Sequence, residues 1–351
     1  MPKKHIMLFA QGLRNRAGIE RMTVHLANLL AKSYDVSIVL IEPFSYETSP
    51  YKLDSRVYVE SLHSAFKGLN VDNICKLRSV VKRISPDVLI TVATPLVRIS
   101  APAILGLRIK NIAWEHFNLY AGSKIGSVWK WISTFCVDRT IVLCNDDAEN
   151  FRKVRARNVS AIYNFSSIGE ENEPSECTKK VLLAVGRHAH QKGFDMLIKA
   201  WTKVEANDWK LKIVGSGQLL QDNIRLAESL GVAESIIFQD ATPDIIGEYK
   251  NASCFVLSSR YEGFGMVLIE ARMMGLTCVS FDCQTGPREI IRDGVDGFLV
   301  PTEDIDALAA KLTEVLAYDN LKELGVIARQ DAMQRYGVDS ASMSWSNVIN
   351  N

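Results

Sequence analysis

The feature that most constrains the fold is a repeated alternation. Short apolar runs of strand length are separated by stretches with the amphipathic spacing of helices. In the first half the runs fall at 6–10, 36–41, 88–92, 111–114 and 140–143, and in the second at 181–185, 211–214, 236–238, 254–257 and 277–280. Strands that are apolar throughout are buried on both faces, and strands alternating with helices build parallel sheets covered on both sides. Two such sets in 351 residues are enough chain for two cores. The prediction is an α/β protein of two Rossmann-like domains facing across a cleft, over 1–165 and 177–335. The polar, acidic segment 166–176 between them reads as a hinge with nothing to bury, and 331–351 as helix broken near Tyr336-Gly337. In such a fold the ligand is expected outside the carboxyl ends of the strands.

Composition narrows the partners. Hydrophobic residues are 47% and charged residues 23%, as in a soluble globular protein. The net charge of +1 hides an asymmetry: residues 1–165 carry 23 Lys+Arg against 13 Asp+Glu, and residues 166–351 carry 18 against 27. A basic half suggests an anionic partner such as a membrane surface, a phosphorylated acceptor or nucleic acid; the plain alternative is a solvated surface. No aromatic-rich basic motif supports nucleic acid. Within that half, Leu77, Val80, Val81 and Ile84 share a helical face that packs on a sheet, flanked by Lys76, Arg78, Lys82 and Arg83, which could rest on anionic headgroups. The stretch 124–131 mixes Lys, Trp and Ile, which an interface would also accept. Seven cysteines without a CxxC pair fit a reducing, cytoplasmic compartment. The apolar run 6–10 is too short for a signal peptide, and 88–107 is interrupted by Pro95, Arg98 and Pro102, against a membrane span.

The residues able to carry chemistry follow strands. After the run 254–257 comes Glu262-Gly263-Phe264-Gly265, with a helix beginning near Gly265. The amides of Gly265, Met266 and Val267 would be unpaired at the positive end of that helix, which suits a pyrophosphate. Glu270 has Met266, Val267, Met273 and Met274 at helical spacing, and a carboxylate on an apolar face needs a partner, such as a vicinal diol. After 181–185, Gly186 leads to Arg187 and Lys192, cations that could neutralise a diphosphate leaving group or simply meet water. Gly215 marks another turn, and Asp240 could meet a base or cap the next helix. In the first half, residues 11–20 end in Ala17-Gly18-Ile19-Glu20 and suggest a phosphate or sugar loop, while the absence of GxGxxG disfavours dinucleotide binding. His116 follows the run 111–114, where it is either structural or a cleft residue. Asp304-Ile305-Asp306 opens a helix and reads as dipole partners rather than a metal ligand pair, and no zinc-type spacing occurs.

Taken together, the motifs resemble a known family. Glu262 and Glu270, with seven residues between them in EGFGMVLIE, resemble the E-x7-E motif of retaining GT-B glycosyltransferases of family 4, the group 1 glycosyltransferases. GRHAHQKGFD resembles that family's Arg–Lys phosphate motif, and DGVDGFLV at 293–300 its following stretch. The resemblance implies a nucleotide-diphosphate sugar donor, commonly UDP-linked, bound in the C-terminal domain with no cofactor and no metal requirement. It implies Glu270 on the ribose, Glu262 near hydroxyls of the transferred sugar, and Arg187 and Lys192 on the departing diphosphate. It also implies His116 beside the sugar, Gly18 as the second glycine of an N-terminal Gly-Gly loop whose first position is Ala17, and a last helix, 338–351, returning to the N-terminal domain. Retention of configuration and a glycan or lipid-linked acceptor are further implications. Charge and resemblance together suggest bacterial surface polysaccharide or lipopolysaccharide synthesis at the inner membrane face. A sugar-nucleotide epimerase of the same fold and a non-catalytic glycan- or nucleotide-binding module are the rival readings.

Overall fold

Each apolar run becomes a strand in the computed structural model, which describes residues 3–14, 18–47, 49–66, 68, 70–120 and 122–351. The chain divides into two units, Met1–Asn164 with Ala341–Asn351, and Phe165–Ser340. The first contains β1 (His5–Ala10), β2 (Asp35–Leu40), β3 (Val57–Ser61), β4 (Val88–Val92), β5 (Lys110–Trp114), β6 (Arg139–Val142) and β7 (Val159–Ala161). These form one sheet in the order β3-β2-β1-β4-β5-β6-β7, with every pairing parallel. The second contains β8 (Val181–Val185), β9 (Lys210–Val214), β10 (Ile236–Gln239), β11 (Cys254–Leu257), β12 (Thr277–Phe281) and β13 (Phe298–Val300). Its order is β10-β9-β8-β11-β12-β13, again all parallel. Both are doubly wound sheets.

Three strands escaped the sequence reading, and all are edge or near-edge strands. β3 keeps one residue fully buried and exposes Tyr58; β7 and β13 have three residues each. A strand covered on one side, or this short, has no continuous apolar signal.

In the first unit α1 (Gly18–Leu30), α2 (Val71–Ile84), α3 (Val97–Ala103), α4 (Lys124–Ser133) and α5 (Asn145–Lys153) cover the sheet. On α2, Asn70 caps the first turn through the Asp72 amide, and Leu77, Val80 and Val81 join the core. Three of its four cations are held by the protein. Lys76 pairs with Asp72 (2.8 Å), Arg83 with Glu60 (2.5 Å), and Arg78 donates to the carbonyls of Ala103 and Leu105. A headgroup-binding role for this helix would therefore compete with existing partners.

The second unit adds α6 (Phe194–Trp201), α7 (Leu220–Ser229), α8 (Ile245–Lys250), α9 (Met266–Met273), α10 (Pro287–Ile290), α11 (Ile305–Leu316) and α12 (Leu321–Tyr336). Leu197, Ile213, Val256, Phe281 and Leu312 lie in its core. The expected hinge is not free of packing. Ile168 and Ser175 are buried, Arg329 donates to the carbonyls of Gly169 and Asn172, and the Ser175 amide donates to Met274 O at 2.8 Å. Its polar composition hid backbone acceptors that an arginine satisfies. After Gly337 the chain continues as α13 (Val338–Asn350). Trp345 meets Trp114 edge to face at 5.2 Å, and Lys110 Nζ donates to Val348 O at 2.6 Å. The aromatic pair alone contributes about 0.5–1.5 kcal/mol beyond its buried area.

Candidate functional site

In the second sheet the winding reverses between β8 and β11, so a crevice forms at their carboxyl ends. Three loops there are joined backbone to backbone: Gly186 N donates to Val214 O (3.0 Å), His188 N to Ser216 O (3.0 Å) and Gly215 N to Gln239 O (2.9 Å). A Cβ on Gly215, with φ +154°, would lie 1.8 Å from Gly186 O, so only glycine fits. Asp240 is exposed at the end of β10 and accepts from Ser216 Oγ (3.3 Å). The cap of α8 is instead Asp244, which accepts from Gly247 N.

Lys192 bridges the reversal point. Its stem lies over Gly186, and its Nζ donates to Glu262 Oε1 at 2.6 Å. Ser259 Oγ donates to the same oxygen at 2.6 Å, and Thr285 Oγ1 fixes the Glu262 carbonyl at 2.6 Å. The two side chains are 15% and 7% exposed, so the pair is held at the edge of solvent. Glu262 Oε2 makes no hydrogen bond among the described residues. Beside this pair the Arg187 side chain is exposed and makes no ion pair or hydrogen bond among the described residues.

The loop then enters α9 through Gly265, whose φ of +100° is left-handed and favours glycine. Nothing caps the helix from a side chain, and among the described residues the amides of Gly265, Met266 and Val267 reach no protein acceptor. Their uncompensated dipoles form a positive end aimed out of the helix. Phe264 is buried with its ring against Tyr336 (5.8 Å between centroids), so it offers a ligand no aromatic face.

A helix apolar on all sides is a buried one, and α9 is buried from Leu268 to Met273. Its two charged residues must then be paired. Glu270, 6% exposed, accepts from Tyr249 Oη at 3.1 Å. Arg272, fully buried, donates to Asp296 at 2.7 Å and Asp331 at 2.9 Å, and Arg292 reaches Asp296 at 2.6 Å. Burial works against the Asp296 charge, yet Arg272 and Arg292 hold its carboxyl below the usual range. The stretch 293–300 thus anchors the helix that carries Glu270. Removing one partner of a buried pair such as Arg272–Asp296 costs about 3–5 kcal/mol.

In the first unit, His116 follows β5 and is buried, with Nε2 lacking a hydrogen-bond partner among the described residues and its ring 4.3 Å from Trp114. Burial pushes its imidazole down to about 3, so it is neutral at physiological pH. Its loop is fastened by three buried ionisable side chains that sequence reasoning missed. Glu115 accepts from the Thr94 hydroxyl and from the amides of His116 (3.1 Å) and Phe117 (3.0 Å). Asp147 accepts from Leu119 N at 2.8 Å, and Lys130 donates to Asn118 O at 2.6 Å. Burial pushes the Asp147 carboxyl up to about 7, opposed by the Leu119 amide and reinforced by Glu115. Ahead of Thr94, Ala93 has φ +74°, a strained value for a residue with a Cβ.

Gly18 opens α1 with open space where a Cβ would point. Its partner in the expected loop, Ala17, lies outside the described residues. Asp304 caps α11 through Ala307 N (2.9 Å), and Asp306 pairs with Lys203. Among the described residues no three His, Cys, Asp or Glu side chains converge as a metal site. Ser259, Tyr249, Thr285 and Arg272 also went unread; only Arg272, a charge inside an apolar helix, carried a signal in the sequence.

Two doubly wound parallel sheets in one chain are the GT-B fold, and the second carries cations and unpaired amides at its reversal point. Family models agree along the chain: residues 16–167 match Glycosyltransferase Family 4 and residues 169–330 match Glycosyl transferases group 1. The chain belongs to the group 1, family 4 glycosyltransferases. It is 28% identical to an uncharacterized glycosyltransferase of Haemophilus influenzae, over 99% of this chain and 100% of that one. It is 29% identical, over 95% of both chains, to a Campylobacter jejuni α-1,4-N-acetyl-D-galactosaminyltransferase named for a diNAcBac-PP-undecaprenol-linked GalNAc disaccharide. A protein from Anabaena solved with UDP superposes with a TM-score of 0.84 over 99% of both chains at 18% identity, a likeness of fold.

Proposed function

We propose that this glycosyltransferase moves a hexose or N-acetylhexosamine from a UDP-sugar to a glycan or lipid-linked acceptor with retention of configuration. The observation that carries the reading is the Lys192–Glu262 pair at the reversal point, together with the Arg187 side chain and the α9 amides, which have no partner among the described residues. The diphosphate is assigned to those amides, Arg187 and Lys192, with Gly186 making room for the Lys192 stem and Gly215 packed against Gly186. Glu270 is assigned to the ribose, and Glu262, through Oε2, to a sugar hydroxyl. Asp240 stands at the rim where a base could meet it. His116, neutral and with a free ring nitrogen, is assigned to substrate hydroxyls, and Gly18 to the open start of α1.

The chemistry needs two developing charges stabilised, on the leaving phosphate and on an oxocarbenium-like sugar. As the bond from the anomeric carbon to the diphosphate breaks, Arg187, Lys192 and the helix end take up the phosphate charge without a metal. The acceptor oxygen bonds the anomeric carbon on the face the diphosphate leaves, and its proton passes to the departing phosphate oxygen. The undecaprenol-linked glycan in the name of the Campylobacter relative supports a lipid-linked acceptor, which would put the reaction at a membrane face.

A thermal-shift panel of UDP-, GDP- and ADP-sugars tests the donor: stabilisation by UDP-sugars alone is expected, and none by any of them would remove the reading. Incubation of the stabilising donor without acceptor separates an epimerase, which would release a changed sugar nucleotide.

A further inference from the structure

We propose that α4 is a lipid-docking helix, laid on an anionic bilayer through Ile125, Val128 and Trp129. The proposal rests on the membrane half of the functional reading and is independent of the donor half. The helix is built the wrong way round for a core element. Its buried side chains are Lys130 and Ser133, while Ile125 is 72%, Val128 52% and Trp129 45% exposed. At about 100° per residue these three, with Lys124, Trp131 and Ile132, fall within one half of the helix circumference, and Lys130 falls on the other.

The inversion is held in place, because Lys130 Nζ is tied to Asn118 O at 2.6 Å. Ser123 caps the helix through Gly126 N, and Arg98 lies over the Trp129 ring at 5.2 Å. The apolar face is therefore presented by a rigid support. Phe135 extends it in the following turn, edge to face with Trp131 at 5.1 Å between centroids, and Phe117 and Tyr120 are exposed in the preceding loop. A contiguous exposed apolar face of this kind marks an interaction surface.

Charge selects the occupant. Trp131 Nε1 donates to Val154 O at 2.9 Å, which places the run 152–157 against the helix. That run contributes exposed Lys153, Arg155 and Arg157, and Lys124 begins the helix on the apolar side. Tryptophan and aliphatic residues ringed by Lys and Arg suit the headgroup boundary of an anionic bilayer, where rings lie among headgroups and cations meet phosphates. No helix among the described residues is long and apolar enough to cross a membrane, so the contact would be peripheral.

The test is sedimentation of the full chain with vesicles of phosphatidylcholine alone and with about a third phosphatidylglycerol, the anionic fraction over which basic segments gain affinity. Wild type should bind the anionic vesicles, and Ile125→Ser/Val128→Ser/Trp129→Ser should bind at least tenfold more weakly. Lys124→Glu/Lys153→Glu should lose the anionic preference. Both variants should keep the wild-type thermal response to UDP, which shows that the fold and donor site are intact. Equal vesicle binding by wild type and the triple variant overturns the proposal, as does no binding by either. So does light scattering that shows a wild-type dimer broken by the triple variant, which would make the face a contact between copies.

Discussion

The two carboxyl-end rims use charge in opposite ways. On the second unit, Arg187 is free and exposed, and Lys192 and Glu262 hold each other at the solvent edge. On the first unit, Glu115, Asp147 and Lys130 are buried and their bonds fasten the loop 115–120. The second unit's rim presents charge to a ligand; the first unit's rim uses buried ionisable groups as scaffold and leaves a neutral imidazole. A census of ionisable residues would treat them alike, and only the partners separate them.

The largest effect should come from the support beneath the charged rim. Asp296→Ala leaves the buried Arg272 with Asp331 as its one carboxylate partner among the described residues, and a loss of about 3–5 kcal/mol is expected, read as a fall in chemical-denaturation midpoint. An unchanged midpoint would mean that α9 is held by apolar packing alone. On the rim itself, Lys192→Ala should lower kcat by about 10²- to 10³-fold, the size seen when one donor to a developing anion is removed. A change confined to KM would instead make Lys192 a ground-state binder.

These two predictions show which parts were legible. Strand alternation gave both sheets because central parallel strands such as β1 and β4 are buried on both faces. β7 and β13 were missed because three edge residues hold no period. Arg187 and Lys192 were readable as candidates because they lie close along the chain, and Glu262, 70 residues from Lys192, because it opens a glycine-containing loop before a helix. Tyr249, Asp296 and Asp331 were not readable as partners of α9, since each comes from a separate element and only the fold brings it there. The loop of His116 was opaque for the same reason: Thr94, Lys130 and Asp147 lie on three other segments.

Smaller effects sharpen the contrast. Tyr249→Phe removes one hydroxyl bond from Glu270, worth about 0.5–1.5 kcal/mol, so donor affinity should fall a few-fold with the fold intact. Titration calorimetry checks it, and no change would detach Tyr249 from the donor site. On the scaffold rim the signature is pH. Native Asp147 keeps its proton up to about 7, whereas the unfolded chain releases it near the ordinary carboxyl value. Its contribution to stability is thus full below the ordinary carboxyl value, declines above it and is lost by the time pH passes about 7. Asp147→Asn should flatten that part of the profile of stability against pH. An unaltered slope would mean that Asp147 is ionised in the native protein.

The central claim is that the second unit's rim grips a diphosphate. It is tested most directly by titrating UDP and uridine into wild type and Arg187→Ala/Lys192→Ala. The double variant should lose at least tenfold in affinity for UDP, about 1.4 kcal/mol, with uridine binding unchanged. Equal UDP affinity in the two proteins would contradict the account.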